Sequence, residues 1–257
     1  MAYLSAFAVQ SRLLDISHEF GSAKFSILGE GNTSGRLDEE TFVVKASGSN
    51  LESLTKLELV TCRFDKLLPS LDQEEVSEEA IEDVLLQSRV LKNSLKPSVE
   101  TFFHAHLLTI PGVKFVGHTH PIPVNQILCS GFGKAFGEER RFPDEVVCCG
   151  PKSLLIPYED PGLALAKRIR ADVCTFQETN RTYPKVILLE NHGLITVGDS
   201  AEAVRVAMLM TVKAAEIFAG AQALGSIIAM SPTEVSRIES RLDEEYRRRI
   251  LHGQSSG

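Results

Sequence analysis

Two histidines separated by one residue, in His118-Thr119-His120, are the strongest chemical signal in the chain. Alternate residues of an extended segment point to the same side, so both imidazoles can reach one ion. The mostly apolar run Val113 to Gly117 predicts a strand that delivers them. The spacing therefore predicts a metal site, although a catalytic zinc ion has about three protein ligands and one open position.

The third ligand is predicted to be His192, in the segment Glu190-Asn191-His192-Gly193-Leu194. It follows the apolar run Val186 to Leu189 and precedes another, which places it at the end of a strand. Taken alone, an HxH pair is as often a surface feature, and a single histidine is more often structural. The combination of the three predicts the site.

Glu100 is the predicted acid or base. Pro97 and Ser98 are expected to open a helix near Glu100, since a serine at the N-cap accepts hydrogen bonds from the first amides. A surface carboxylate at this point would simply favour the helix dipole. If Glu100 faces the metal, it becomes a general acid/base.

A second HxH pair, His104 and His106, falls within this predicted helix. Positions i and i+2 of a helix diverge by roughly 200°, so the two imidazoles cannot easily share a metal. We expect His104 to pack against its neighbours or to form a local hydrogen bond.

Two polar, glycine-rich turns accompany these residues, Gly29-Glu30-Gly31-Asn32 and Ser47-Gly48-Ser49-Asn50. They match neither a phosphate-binding P-loop nor a complete dinucleotide fingerprint, and both could be turns and nothing more. Together with Ser98, however, they supply amides and hydroxyls suited to a small anion such as phosphate.

Strands and helices alternate along the chain, which predicts a layered α/β domain whose sheet polarity is not readable from the pattern. The helices are expected at 4–20, ending at Gly21, from Asp160-Pro161, from Ser200 to about Ala219, and from the capping box Ser231-Pro232-Thr233-Glu234. The strands are expected at 25–28, 41–45, 113–117, 145–149, 154–156 and 186–189.

Composition restricts the function further. The 257 residues are 43% hydrophobic and 24% charged, as in ordinary globular proteins. A formal charge of -7 argues against a general nucleic-acid binder. No segment reaches about 18 apolar residues, so no membrane span is predicted. The five scattered cysteines are typical of free thiols in a reducing cytoplasm, where we expect the protein to be.

The motifs, taken in order, resemble the class II aldolase/adducin family, which includes L-fuculose-phosphate aldolase and L-ribulose-phosphate 4-epimerase. The resemblance is carried by Gly31-Asn32-Thr33-Ser34, Ser47-Gly48, Pro97-Ser98-Val99-Glu100, His118-Thr119-His120-Pro121 and Asn191-His192-Gly193-Leu194. The third and fourth segments are most similar to the aldolase part of rhamnulose-phosphate aldolase/dehydrogenase fusions, without their dehydrogenase half.

The resemblance implies a three-layer α/β/α fold with a central, largely antiparallel sheet. It implies a single domain over residues 1–257, with a core of about 5–225 and a helical extension of about 231–252. It also implies a homotetramer with sites at its subunit interfaces.

By the same resemblance, the three histidines bind zinc or another divalent ion and Glu100 is the acid/base. Phosphate would lie on Asn32, Ser47, Gly48 and Ser98. The implied reaction cleaves or forms a carbon–carbon bond of a sugar phosphate or similar hydroxy-ketone through a metal-stabilised enediolate. The tyrosine that the aldolase uses as proton donor has no counterpart near Arg141, which leaves Tyr246 as a candidate acid.

Two other kinds of function stay open. Epimerisation, decarboxylation and dehydration of sugar phosphates use related chemistry on the same scaffold, and Glu100 favours the aldolase among them. A non-catalytic assembly module similar to the adducin head would be expected to have lost ligands, whereas all three histidines and the glutamate are present here.

Overall fold

The strands pair into one mixed sheet in a computed structural model of the chain, which describes residues 4–244 and 246. Within the described residues the strands are β1 (Asn32–Arg36), β2 (Thr41–Lys45), β3 (Leu59–Arg63), β4 (Phe115–Thr119), β5 (Leu154–Ile156), β6 (Val186–Leu189) and β7 (Gly193–Gly198). Their order is β3-β2-β1-β4-β7-β6-β5. Neighbouring strands are antiparallel except β5 and β6, which confirms the largely antiparallel sheet.

Helices cover both faces of this sheet. The α-helices of the described residues are α1 (Ala6–Phe20), α2 (Phe64–Leu67), α3 (Glu78–Ser88), α4 (Thr101–Leu107), α5 (Ile122–Leu128), α6 (Gly133–Glu138), α7 (Pro143–Cys149), α8 (Leu163–Asn180), α9 (Ala201–Ala223) and α10 (Pro232–Glu239). Along β2, Val43 packs with the cluster that includes α1 and α9, whereas Phe42 and Val44 pack with the cluster that includes α4 and α8. This period-two alternation confirms the three-layer α/β/α fold.

Helix α1 shows how the sequence positions one outer layer. The Ser5 hydroxyl accepts a hydrogen bond from the amide of Ala8 at 3.2 Å and so caps the helix. Its buried face recurs at helical spacing through Val9, Leu13, Ile16 and Phe20. The helix ends at Gly21, as predicted, where a side chain would meet the backbone of the 51–52 turn at 2.0 Å.

The predicted capping residues also open α9 and α10. Ser200 accepts from Ala203 at 3.1 Å. Ser231 and Glu234 form the predicted capping box at the start of α10. The predicted C-terminal extension begins here, but its part beyond residue 246 lies outside the described residues. That the chain is a single domain stays a prediction.

One predicted strand is a helix. Residues 145–149 form most of α7, which begins at Pro143 after the extended Phe142. Proline is favoured at the first helical position, and this helix is buried on nearly every side, so its run of apolar residues has no visible period. The prediction of a strand there was wrong for this reason.

A strand predicted at 25–28 is absent, the strand predicted at 113–117 is Phe115–Thr119, and one helix begins later than predicted. Residues 25–28 form turns instead of a strand, and Leu28 adopts a left-handed φ of 56°. Helix α8 starts at Leu163 after Gly162, two residues later than Asp160-Pro161 predicted, because Gly162 at φ 117° redirects the chain.

The described residues contain no helix that is both long enough and apolar enough to cross a membrane. All five cysteines are free, as predicted, and Cys148 and Cys149 are buried in α7.

We expect Phe20→Ala to lower the free energy of unfolding by about 3–5 kcal/mol, because it leaves a cavity between α1 and the sheet. Phe20 is fully buried, and its ring lies 2.8 Å from where Gly117 would carry a side chain. Urea unfolding measures the change. Phe7→Ala is the control, since Phe7 is 67% exposed. Equal losses in the two variants would contradict this packing.

Candidate metal centre

The pairing of β4 with both of its neighbours orients the first two histidines. His118 lies opposite Asn32 on β1 and Ile195 on β7. Its ring meets Phe103 of α4 edge-on with centroids 5.6 Å apart, whereas the hydroxyl of Thr119 points to Met208 of α9. The side chains of His118 and Thr119 therefore point to opposite faces of the sheet, as the alternation along a strand predicted.

The turn between β6 and β7 brings His192 to the same place. Asn191 adopts a left-handed φ of 54°, and Asn125 of α5 donates to the carbonyl of His192 at 3.0 Å. A side chain at Gly193 would meet the His120 ring and the Thr119 carbonyl at 2.6 Å. Only glycine therefore permits this close approach of the hairpin to the end of β4.

The three histidines form a group that fits a divalent ion. One ring nitrogen from each lies within 4.8 Å of the others, and the Nε2 atoms of His118 and His120 are 3.0 Å apart. The Nδ1 of His118 lies 3.0 Å from the Leu194 carbonyl and donates to it, which leaves Nε2 as the lone-pair nitrogen. The Nδ1 of His192 is buried with no hydrogen-bond partner among the described residues. Three imidazole nitrogens that converge in this way match the ligand type of zinc sites.

Glu100 faces these rings. Its Oε1 lies 3.4 Å from Nε2 of His118 and 3.3 Å from Nε2 of His192, while its Oε2 accepts a hydrogen bond from Asn32. Burial raises the pKa of this carboxyl, but the adjacent imidazoles outweigh burial and hold the pKa well below its usual range. Glu100 is itself the N-cap of α4, so the helix starts later than Ser98 predicted.

The four residues predicted to hold phosphate lie around Glu100 and the adjacent turns. Ser98 accepts from the amide of Glu100 at 3.2 Å and lies 3.5 Å from the Asn32 side-chain nitrogen. An isolated antiparallel bridge joins Ala46 to Pro97, and the amide of Ser47 donates to the carbonyl of Lys96 at 2.8 Å, which ties the exposed Ser47-Gly48 turn to the segment that leads into Ser98. Their role in binding an anion stays a prediction.

A cavity of about 620 Å³ opens in front of the histidines. His120, His192, Glu30 and Asn125 are among the residues that line it. The carboxylate of Glu30 lies 3.8 Å from Nδ1 of His120. Tyr246, the candidate acid, is 61% exposed and is not among the described residues that line this cavity.

The second HxH pair is separate from this centre, as expected. The Nδ1 of His104 hydrogen-bonds Ser34 at 2.7 Å, and the ring stacks on Phe103. Burial lowers the pKa of His104 to about 3, and burial together with Arg170 lowers that of His106 to about 4. Neither belongs to the metal-capable group found in the described residues.

Sequence reasoning missed two charged residues near the centre. Glu30 lies in a turn whose pattern indicated only backbone contacts. Lys45 ends the apolar strand β2, yet its side chain is 2% exposed and its ammonium donates to the carbonyls of Gly29 and Ser49. The sequence signal that could have identified Lys45 is the presence of a lysine at a strand position that faces the core.

A sequence model of the class II aldolase and adducin N-terminal domain matches residues 11–219. The chain belongs to this family. The match runs from within α1 to near the end of α9 and includes all the residues predicted for the centre except Tyr246. It confirms the resemblance that the motifs carried.

Among curated proteins, this family member is similar to an uncharacterized oxidoreductase, YuxG, of Bacillus subtilis (strain 168). The two are 30% identical over 182 residues, which cover 68% of this chain. The chain spans 24% of the length of that relative.

Solved structures support the fold. The N-terminal class II aldolase domain of a conserved Thermoplasma acidophilum protein has 27% identity and a TM-score of 0.66, and the match covers 85% of this chain and 97% of that one. An L-fuculose 1-phosphate aldolase has 13% identity and a TM-score of 0.70, with 95% and 98% covered. A sugar-phosphate aldolase from Thermotoga maritima has 16% identity and a TM-score of 0.65, with 86% and 99% covered.

We expect His192→Ala to lose most of its bound metal, because two imidazoles hold a divalent ion far less tightly than three. Elemental analysis of the purified chain should show about one ion in the parent and only a small fraction of one in the variant. The control is His18→Ala, which removes an exposed imidazole bonded to the Leu54 carbonyl. Equal metal content in the parent and His192→Ala would exclude this site.

We expect His106→Gln to reduce the loss of stability on acidification. The folded pKa of His106, about 4, lies below its ordinary 6.5, so the unfolded chain binds the proton first. This contribution is complete above about pH 6.5 and is lost as the pH falls towards 4. Urea unfolding at pH 7 and pH 4.5 should give a difference that is about 1–3 kcal/mol smaller in the variant. An unchanged dependence in His106→Gln would refute the assignment.

Proposed function

We propose that the chain is a metal-dependent lyase of the aldolase type, which cleaves or forms a carbon–carbon bond in a sugar phosphate or similar hydroxy-ketone. The observation that carries this proposal is the position of Glu100. One of its carboxylate oxygens lies within 3.4 Å of the Nε2 atoms of both His118 and His192. A substrate held at the histidine centre would therefore meet a base at the same point.

The three histidines would hold zinc or another divalent ion, which when bound polarises the ketone oxygen and stabilises developing negative charge. Cleavage takes the proton from the hydroxyl whose carbon becomes the aldehyde, which Tyr246 would accept and, in the reverse direction, return to the aldehyde oxygen. It leaves the electron pair of the broken bond on the carbon next to the ketone. That carbon must then gain a proton, and in the reverse direction it must lose one. Glu100 would hold and transfer this proton.

The surroundings of Glu100 suit this role. Glu100 is a carboxylate at neutral pH and can therefore accept a proton. Asn32 donates to the other oxygen, Oε2, which fixes the carboxylate so that Oε1 faces the rings.

The substrate class rests on the predicted anion-binding residues and on the names of related structures. Two of those proteins are described as a fuculose 1-phosphate aldolase and a sugar-phosphate aldolase. Asn32, Ser47, Gly48 and Ser98 would hold the phosphate, and the reacting carbons would then lie toward the histidines. Tyr246 is the proposed acid for the second proton, and the active assembly is proposed to be a homotetramer.

An assembly module of the adducin type is the second candidate, and retention of the whole constellation argues against it. A chain that had lost catalysis would not need a buried carboxylate beside three convergent imidazoles, since such a group costs stability. Epimerisation, decarboxylation and dehydration of sugar phosphates use related chemistry on the same scaffold. Analysis of the reaction products distinguishes these three reactions from carbon–carbon cleavage, which releases an aldehyde.

We expect Glu100→Gln to lower the rate of aldehyde release from ketose 1-phosphates by about 10²–10⁴-fold, because the amide cannot accept the proton. The measurement is a coupled assay for the aldehyde over a panel of ketose phosphates, with metal content determined on the same samples. The variant should keep the metal of the parent, since Glu100 is not one of the three ligands.

The matched control is Glu30→Gln, which removes another cavity-facing carboxylate and should retain activity within about tenfold. Metal-containing parent protein that releases no aldehyde from any ketose phosphate would refute the aldolase proposal. Parent protein that is free of metal and inactive would favour the assembly module.

A further inference from the structure

Lys45 is a buried ammonium group that the proposed chemistry does not use. Lysine is almost never fully buried unless it is paired, yet Lys45 is only 2% exposed. Its ammonium donates to the carbonyl of Gly29 at 3.1 Å and to that of Ser49 at 2.7 Å. Both acceptors are neutral, so the positive charge is only partly compensated by the groups it touches.

These two carbonyls belong to the two glycine-rich turns. Each turn contains a glycine in the left-handed region, Gly31 at φ 74° and Gly48 at φ 76°. The first turn leads directly into Asn32. The second is tied to the segment that leads into Ser98 by the bridge between Ala46 and Pro97 and by the hydrogen bond from the Ser47 amide to the Lys96 carbonyl. Lys45 therefore joins the two turns that carry the predicted anion-binding residues.

The charge of Lys45 acts on the centre as well. Burial lowers the pKa of the Lys45 ammonium, and the carboxylates of Glu100 and Glu58 oppose that change. The same ammonium contributes to the lowered pKa of His104. Coulomb interactions are stronger in the protein interior than in water, so this charge also attracts an anion that enters between the turns.

We infer that Lys45 is a positioning residue which fixes the two glycine-rich turns and makes the space beside Asn32 and Ser98 selective for a phosphate group. The identity of the phosphate-bearing substrate rests on the proposed function. The affinity of the space for phosphate does not, because it can be measured without turnover.

The test is a calorimetric titration of the purified protein with inorganic phosphate. Lys45→Gln keeps an amide that can donate to the turn carbonyls but removes the charge, and it should bind phosphate about tenfold more weakly. Lys45→Arg keeps the charge and should recover part of the affinity. Lys24→Met removes an exposed lysine near the first turn and is the matched control, which should bind as the parent does.

Direct binding of phosphate to the metal is controlled by repeating the titration in the His192→Ala background, where the tenfold difference should persist. In kinetics, Lys45→Gln should raise KM for the phosphorylated ketose about tenfold, with kcat changed less than about threefold. KM for the unphosphorylated ketose should stay the same. A merely structural lysine would lower activity toward both ketoses together.

Equal phosphate affinity in Lys45→Gln and Lys24→Met would overturn the inference, as would a parent protein that binds no phosphate. If Lys45→Gln fails to fold, Lys45→Arg tests the inference instead. A folded Lys45→Arg variant that retains the charge but loses all affinity for phosphate would contradict an electrostatic role of Lys45. Parent protein that binds phosphate through Lys45 but shows no lyase activity would refute the proposed function and leave this inference standing.

Discussion

The register of β4 between its two neighbours is the constraint on which the centre depends. Because side chains alternate along a strand, a slip of one residue would turn His118 toward α9 and Thr119 toward Glu100. Gly117 holds the register from the opposite face, since its missing side chain leaves room for Phe20 of α1 and Val204 of α9. Packing of the outer helices on one face thus decides which residues the other face presents.

The buried charges of the molecule are compensated in two different ways. Arg140 is 1% exposed and is closed off by backbone carbonyls, including that of Gly150 at 2.7 Å, and by nearby Glu145. Glu100 instead has one oxygen satisfied by Asn32 and one directed at imidazoles beside a cavity. The first arrangement is complete in itself and stabilises a loop. In the second arrangement, one carboxylate oxygen can still interact with a bound group. This distinguishes a candidate functional site from a structural ion pair.

The features that could be predicted from the sequence are those that depend on the spacing of residues close together in the chain. The HxH pair, the histidine after a strand, and the caps at Ser200 and Ser231 each depend on short-range geometry, and the structure places them as predicted. It failed at residues 145–149, because a helix buried on most sides shows no period that distinguishes it from a strand. It also missed Lys45, since the destination of a long side chain depends on turns that only the folded chain brings together.

The ligand atoms of the centre come from a strand and a hairpin that are distant in sequence and meet only when β4 pairs with β7. In the unfolded chain, the imidazoles of His118 and His192 would be separated by a long and disordered loop. An ion held by all three histidines therefore binds the folded chain and has little affinity for the unfolded one. By mass action, the conformational equilibrium of the chain then becomes a function of free metal concentration, so the centre would link protein stability to metal supply.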